Sequence, residues 1–253
     1  MTGVQTCALP ILRSIGAEIE FSGKENFPPL KIIGKKLAGG SINIDGSESS
    51  QFISALMLIA PKLKDGLKIK LTGKVYSRSY IDMTISLMKY FGIEFRTDKN
   101  IIEILSGNYS RELFRVENDW SSASFWYEIA ALSESAEILL KDLNKKSIQG
   151  DAAIDEIMKS FGVYSENTGK DLIIRKQENV KLASFFEYDF SSCPDIVIPV
   201  AVVCAALKIK SVFKGVKNLR IKESDRLQSL KNELEKMRKV GILRVVWAVR
   251  LAP

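Results

Sequence analysis

Three segments of the 253-residue chain are apolar nearly all round: FISALMLIAP from Phe52, SFWYEIAALS from Ser124 and DIVIPVAVVCAAL from Asp195. Such segments predict helices buried on every side. A Ser-Ser pair precedes each one, at 49–50, 121–122 and 191–192, so the pairs recur at spacings of 72 and 70 residues. A second kind of segment follows each apolar one: YIDMTISLMKYFGIEF, DAAIDEIMKSFGVYS and SDRLQSLKNELEKM. Here the pattern is one-sided. Ile154, Ile157, Met158 and Phe161 fall at i, i+3, i+4 and i+7, and Leu227, Leu230 and Leu234 at i, i+3 and i+7, which predicts amphipathic helices. Gly92 and Gly162, 70 residues apart, stand where a C-terminal glycine ends such a helix.

Between the two helix types lie short β-branched runs, LKIKLTG, AEILLKDL and KSVFKGV. Alternating pairs follow the amphipathic helices: IEFRTD with IIEILS, and VYSEN with DLIIRK. Each unit therefore reads helix, strand, amphipathic helix, strand, strand. The stretch LRSIGAEIEFS, residues 12–22, looks like the tail of a preceding unit with Gly16 in the glycine position. A repeat of about seventy residues fixes architecture before function. Generic α/β alternation would explain the element order, though not the recurring Ser-Ser.

Composition narrows the chemistry. Hydrophobic residues are 46% and charged residues 26%, the balance of a globular protein. The net charge of +7 suits acidic partners, but the basic residues are scattered and form no Arg-rich stripe, which argues against nucleic acid. There is no histidine, so Ser-His-Asp and Cys-His schemes and His-ligated metal sites are excluded. Acid–base work falls to carboxylates, lysines or tyrosines. Cys7, Cys193 and Cys204 form neither a disulfide framework nor a zinc motif, and a reducing cytoplasm is the expected setting. The longest apolar stretch, 196–207, is 12 residues with a proline inside, too short to span a bilayer.

Four places carry candidate chemistry. In GSESSQF, Ser49, Ser50 and Gln51 open an apolar helix, whose N-terminus offers unpaired N–H groups to an anion as readily as to a capping serine. NLRIKESDRL crowds Arg220, Lys222, Glu223, Asp225 and Arg226 around the start of an amphipathic helix. Ser224 as N-cap and Asp225 on the helix dipole account for part of this, but cations are disfavoured at an N-terminus and point to an anionic ligand. Glu223 between cations is a poised carboxylate. In SSCPDIVIP, Asp195 stands at the mouth of the most apolar helix, where partial desolvation tunes a general base. YSRSYIDM adds Ser77, Arg78 and Tyr80 at another helix head. Cys193, without a histidine beside it, is a bystander.

Together these stretches resemble the 5-enolpyruvylshikimate-3-phosphate synthase family, in order, from LRSIGAEIEF to LEKM. GSESSQFISALMLIAP is similar to the family's G-S-x-S-S-Q-F-x-S/T-A-L-L-M-x-A-P, VENDWSSASFW to V-E-G-D-A-S-S-A-S-Y, and PDIVIPVAV to P-D-A-A-M-T-L-A-V. QGD matches Q-G-D, and NLRIKESDRL fits N-x-R-x-K-E-S/T-D-R-L completely. The resemblance implies a mixed α/β fold of two similar domains built from β-α-β-α-β-β units around buried parallel helices, the inside-out barrel of enolpyruvyl transferases. It implies a site where helix N-termini of both domains converge. Ser49, Ser50, Ser77, Tyr80, Asn218 and Lys222 would hold shikimate 3-phosphate, and Gln51 would touch both substrates. Asp195 would accept a proton at the shikimate hydroxyls, while Glu223 and Arg226 would face phosphoenolpyruvate. No metal or cofactor is implied, and the expected protein is a cytoplasmic monomer that engages neither nucleic acid nor membrane.

Departures touch no expected contact: Ser79 replaces a proline, Asn118 a glycine and Trp120 an alanine. The family's L-P-G-D/S-K-S, N-A/S-G-T and D-H-R-M-A-M segments, which supply most of the phosphoenolpyruvate clamp, are not found. Residues 1–11 resemble translated adapter and 238–253 match nothing in the family, so both are read as non-native. The first domain is expected over 12–116 and the second over 117–237, each partial, in an inactive central fragment. Two other readings stand beside this one: the UDP-N-acetylglucosamine enolpyruvyl transferase of the same fold, and a non-catalytic anion-binding module.

Overall fold

At the stretch read as the tail of a preceding unit, the helix Val4–Ser14 (α1) gives way at Gly16 to Glu18–Phe21 (β1), which pairs antiparallel with Leu30–Ile33 (β2). The expected order of helix, glycine and strands is kept, and α1 runs unbroken across residues 11 and 12. The computed structural model that gives these elements describes residues 4–25, 27–47, 50–110, 113–220, 222, 224–239 and 250–251. The chain divides into two units, Met1–Phe114 and Arg115–Pro253, each with its own hydrophobic core.

The first unit holds one full repeat: Gly40–Asp45 (β3), Ser50–Ile59 (α2), Leu67–Thr72 (β4), Arg78–Tyr90 (α3), Phe95–Asp98 (β5) and Ile101–Ile104 (β6). The sheet order is β3-β4-β6-β5, with β3 and β4 parallel and the other pairs antiparallel. A parallel pair needs a crossover, and α2 supplies it. In β4 the alternation of LKIKLT buries Leu67, Ile69 and Leu71 and leaves Lys68, Lys70 and Thr72 in solvent, so one sheet face meets the helices. Ile53, Met57, Ile81 and Met88 complete that core from α2 and α3. The helices are also pinned by a polar contact, since Thr84 Oγ1 donates to Ser54 Oγ at 2.9 Å.

The second unit repeats the pattern. Trp120–Leu132 (α4), Glu137–Leu140 (β7), Ile154–Lys159 (α5), Val163–Thr168 (β8) and Asp171–Lys176 (β9) give a sheet ordered β7-β9-β8, the counterpart of β4-β6-β5. Phe185–Asp189 (β10), Val197–Ala206 (α6), Lys210–Lys214 (β11), Arg226–Lys239 (α7) and Arg250–Leu251 (β12) follow, with β10, β11 and β12 parallel. The core joins α4, α5 and α6 through Tyr127, Met158, Phe161, Val200 and Phe213. Buried Tyr127 has a polar end that needs partners. Its hydroxyl lies 3.1 Å from Asp155 Oδ1 and 3.0 Å from Ser165 Oγ, while Lys145 pairs with Asp155 Oδ2 at 3.0 Å. Lys176 Nζ donates to Ala131 O and Phe161 O at 2.9 Å, tying β9 to the last turn of α4 and to the chain just past α5.

Two expectations need correction. The segment from Asp151 does not start as an α-helix: Gly150–Ala153 is a 3-10 turn, and α5 covers only the stretch after it. The apolar helices are not all buried on every side. α6 is, but α4 leaves Phe125, Trp126, Ile129 and Leu132 between 41% and 51% exposed, and Leu58 and Ile59 of α2 are exposed as well. The physical reason is one-sided packing: α5, α6 and the β7-β9-β8 sheet contact α4 along the face of Trp120, Tyr127 and Ala131. A composition scan registers apolarity and cannot register which face is covered.

The glycine positions are confirmed, with Gly92 at φ 83° and Gly162 at φ 75°. A Cβ at Gly92 would come within 2.1 Å of Ser110 Oγ, which can rotate away, so backbone strain dominates there. Gly92→Ala should therefore destabilise the first unit by about 1–3 kcal/mol, and Gly92→Asn by less, because asparagine tolerates the left-handed region. Denaturant midpoints of the two variants against wild type check this.

Candidate functional site

A helix begins with N–H groups that no residue inside it can accept, so the start of each apolar helix is where polar chemistry collects. In the first unit β3 ends at Asp45, whose Oδ1 accepts from Ser47 N at 2.8 Å and turns the chain towards α2. Ser50, buried, and Gln51, exposed, open α2. Ser49 lies outside the described residues. The loop leading into α2 and the loop leading into α3 are bound to each other: Gly46 N donates to Thr72 O at 2.7 Å, and Tyr76 N to Gly46 O at 3.1 Å. Only glycine allows this approach, because a Cβ at residue 46 would sit 2.7 Å from Val75 Cγ2 and 3.0 Å from its Cα. Both helix starts thus emerge at the C-terminal edge of the parallel pair β3 and β4, where open α/β sheets hold ligands.

Ser77 stands at the head of α3 in the left-handed region, φ 55° and ψ 37°, and is buried. Its side chain makes no capping bond to the helix. A serine held there is strained, which is characteristic of functional positions. Tyr80, half-buried in the first turn, donates its N–H to Ser77 O at 3.1 Å. Arg78 is engaged away from this point, its Nε 2.9 Å from Asp82 Oδ1.

In the second unit, Asp119 is the N-cap of α4 and accepts from Ser121 N at 3.0 Å and Ser122 N at 3.2 Å. Ser122 Oγ donates to it as well, at 2.5 Å. Burial raises the Asp119 carboxyl, but these bonds outweigh burial and hold it below the usual carboxylate range. Asp189, the last residue of β10, accepts from Ser191 N at 2.9 Å. The three loops therefore share an anchor, Asp-x-Ser at 45–47, 119–121 and 189–191.

Beyond Ser191 the chain enters a 3-10 turn, Pro194–Ile196, that leads into α6 and presents Asp195. Arg226, the first residue of α7, places Nη1 2.8 Å from Asp195 Oδ1, and Lys222 Nζ approaches the same oxygen to 3.8 Å. All three side chains are between 24% and 29% exposed. So three of the sequence-predicted residues meet at one point. Asn218 lies half-buried in the preceding 3-10 turn, Lys217–Arg220, and Glu223 lies outside the described residues. The cap of α7 is Asp225 rather than Ser224: Asp225 Oδ1 accepts from Gln228 N at 3.0 Å, and the same carboxylate takes Arg220 at 3.2 Å. Arg226 is paired with Asp195 in this structure, where sequence reasoning aimed it at a ligand.

Sequence reasoning passed over Asp151 and Ser121. Asp151, in the 3-10 turn before α5, is 3% exposed, and its Oδ2 accepts from Ser121 Oγ at 2.5 Å. Burial pushes its carboxyl up to about 6 against the Ser121 bond, with Asp195 and Asp119 adding to the rise and Lys222 opposing it. The available signal was the QGD match, which marked Asp151 without showing that it would be buried against Ser121. Cys193, beside this cluster, is buried, and burial drives its thiol up to about 12, so it carries no nucleophile.

Comparison with known proteins bears on what this arrangement belongs to. A family model described as EPSP synthase (3-phosphoshikimate 1-carboxyvinyltransferase) matches residues 7–240. The 3-phosphoshikimate 1-carboxyvinyltransferase of Bacteroides fragilis is 43% identical over 228 residues, covering 89% of this chain and 55% of that protein. The protein of the same name from Vibrio cholerae serotype O1 is 35% identical over 229 residues, covering 89% and 53%. Among solved structures, an EPSP synthase from Acinetobacter baumannii superposes with a TM-score of 0.62 at 22% identity, over 90% of this chain and 52% of that one. The enolpyruvyl transferase NikO from Streptomyces tendae gives 0.56 at 12% identity, over 79% and 49%. These two likenesses speak for the fold alone. The chain spans about half the length of the curated relatives it matches. With the repeat, the signatures and a family model over nearly its whole length in agreement, the chain belongs to the EPSP synthase family.

Proposed function

We propose that this chain forms the anion-holding part of an enolpyruvyl transferase that moves the enolpyruvyl group of phosphoenolpyruvate onto the 5-hydroxyl of shikimate 3-phosphate, releasing phosphate. One observation carries the reading. A carboxylate and two cations, Asp195, Lys222 and Arg226, come from separate segments to one point at the mouth of an apolar helix. The chemistry asks for such a group. The enol methylene takes a proton, the hydroxyl oxygen bonds to the resulting cationic carbon, and the C–O bond to phosphate then breaks as a methyl proton leaves. Net, the hydroxyl proton departs with phosphate, and no redox partner is required.

In this reading Asp195 accepts the hydroxyl proton, with Arg226 and Lys222 fixing the position of its carboxyl group. Lys222 and Asn218 are the proposed shikimate 3-phosphate contacts of the second unit, and Ser49, Ser50, Ser77 and Tyr80 those of the first; strained, buried Ser77 is the most specific support within its own unit. Gln51 touches both substrates, and Glu223 and Arg226 face phosphoenolpyruvate. Arg226 then exchanges part of its bond with Asp195 for a bidentate bond to an anion. Preorganised charge of this kind is normally the largest catalytic contribution.

Calorimetry on the 253-residue chain should show shikimate 3-phosphate binding specifically and shikimate binding far more weakly, with the difference lost in the double variant Ser50→Ala, Lys222→Ala. Equal binding of the two ligands would remove the phosphate cradle. In a chain of the relatives' full length carrying this segment, Asp195→Asn should keep shikimate 3-phosphate affinity and lower turnover by about 100-fold or more, as loss of a general base does. Turnover within a few-fold of the parent would reduce Asp195 to an ion-pair partner.

A further inference from the structure

Asp151 is the one aspartate of the cluster whose side chain is short of donors. Its Oδ2 has Ser121 Oγ, while Oδ1, buried with the rest of a 3% exposed residue, has no hydrogen-bond partner among the described residues. Asp119 nearby receives two N–H groups and a hydroxyl on the same kind of carboxyl. A carboxylate buried with one donor for two oxygens is poorly solvated, whereas a carboxylic acid in that place needs little more than its Ser121 bond.

The elements packed around Asp151 decide what its charge would do. The start of α4 brings Asp119 and Ser121, and the 3-10 turn Pro194–Ile196 brings Asp195, with the Cys193 thiol just ahead of it; Lys222 reaches this group alongside Asp195, 3.8 Å from its Oδ1. Asp119 and Asp195 repel a charged Asp151, and Lys222 is the cation that acts on it. Lys222 is also the loosely held member of the neighbouring cluster, 3.8 Å from Asp195 Oδ1, where Arg226 already sits at 2.8 Å.

Resting on the anion-site reading above, we infer that Asp151 is a positioning residue: protonated, it leaves Lys222 beside Asp195 and able to meet an anion, and ionised, it draws Lys222 towards itself and subtracts a charge from the site. The proton moves between the Asp151 carboxyl and water, and no other group changes. The residue touches neither substrate nor reacting atoms in this scheme. It acts through Lys222.

The test uses the whole chain without ligand first. With carboxyl-labelled aspartate and labelled lysine, NMR between pH 4.5 and 8 should show a carboxyl resonance, absent in Asp151→Asn, titrating with a midpoint near 6. The Lys222 side-chain resonance, assigned with Lys222→Gln, should follow the same midpoint in wild type and lose that step in Asp151→Asn. Sulfate, a dianion across this range, is the binding probe. Its affinity for wild type should fall about threefold to tenfold between pH 5 and 7.5, as one added charge several ångströms away would produce, and stay level in Asp151→Asn. An Asp151 carboxyl ionised throughout, or a Lys222 step that persists in Asp151→Asn, overturns the inference. Coupled titration with no sulfate bound by either protein supports the Asp151–Lys222 link and overturns the anion-site reading instead.

Discussion

The unpaired N–H groups at the start of an apolar helix are the constraint on which this structure depends. Burying such a helix is favourable only if its first turn is satisfied without water, and an orphaned donor costs about 1–3 kcal/mol. The chain meets this directly at α4, where Asp119 caps the first turn by accepting from Ser121 N and Ser122 N, and it uses the same aspartate-to-serine bond at Asp45 and Asp189 to turn the loops that lead towards α2 and α6. Asp45, Asp119 and Asp189 are 74 and 70 residues apart. These turns bring serines to the approaches of α2, α4 and α6, while Asp151, Lys222 and Arg226 are supplied by the chain that opens α5 and α7.

The same side chain then serves different ends according to its donors. Asp119, with three, is held as a carboxylate and does structural work. Asp195 has Arg226 and Lys222 at one oxygen and serves as the point where two cations meet. Asp151, with Ser121 alone among the described residues, has its carboxyl pushed up to about 6 by burial. None of these differences is visible in the letter D. They arise from what tertiary packing brings within 3 or 4 Å, and a carboxyl answers to that count more than to its position on a helix.

This is also where legibility in the sequence stops. The period of two in LKIKLT, the leucines of α7 and the glycines at 92 and 162 declared their elements, because local sterics and one-sided burial act on neighbours along the chain. The gathering of Asp195, Lys222 and Arg226 was legible through the family signatures and not through spacing, since 31 residues separate Asp195 from Arg226. Three features were not legible. The Ser-Ser register hid the Asp-x-Ser anchor, because the first copy carries two extra residues between its anchor and its serine pair: Asp45 lies four before Ser49, whereas Asp119 lies two before Ser121. The exposed stripe of α4 depends on which neighbours pack, and the capping role of Asp225 depends on where α7 begins.

A cluster of two cations on one carboxylate is a weak device for stability. Partly exposed ion pairs contribute about 0–1 kcal/mol, and desolvating charges offsets much of their attraction. Arg226 moreover opens α7, where the helix dipole disfavours a cation by a few tenths of a kcal/mol or more. A sequence selected for folding alone would do better with an apolar residue or a plain cap there, and Asp225 already provides the cap. The placement gains sense on the proposed reading, in which helix N–H groups, Lys222 and Arg226 would act on one anionic charge from several sides, with Asp195 holding the cations in place before the anion arrives. What the ion pairs give up in stability is returned as preorganisation.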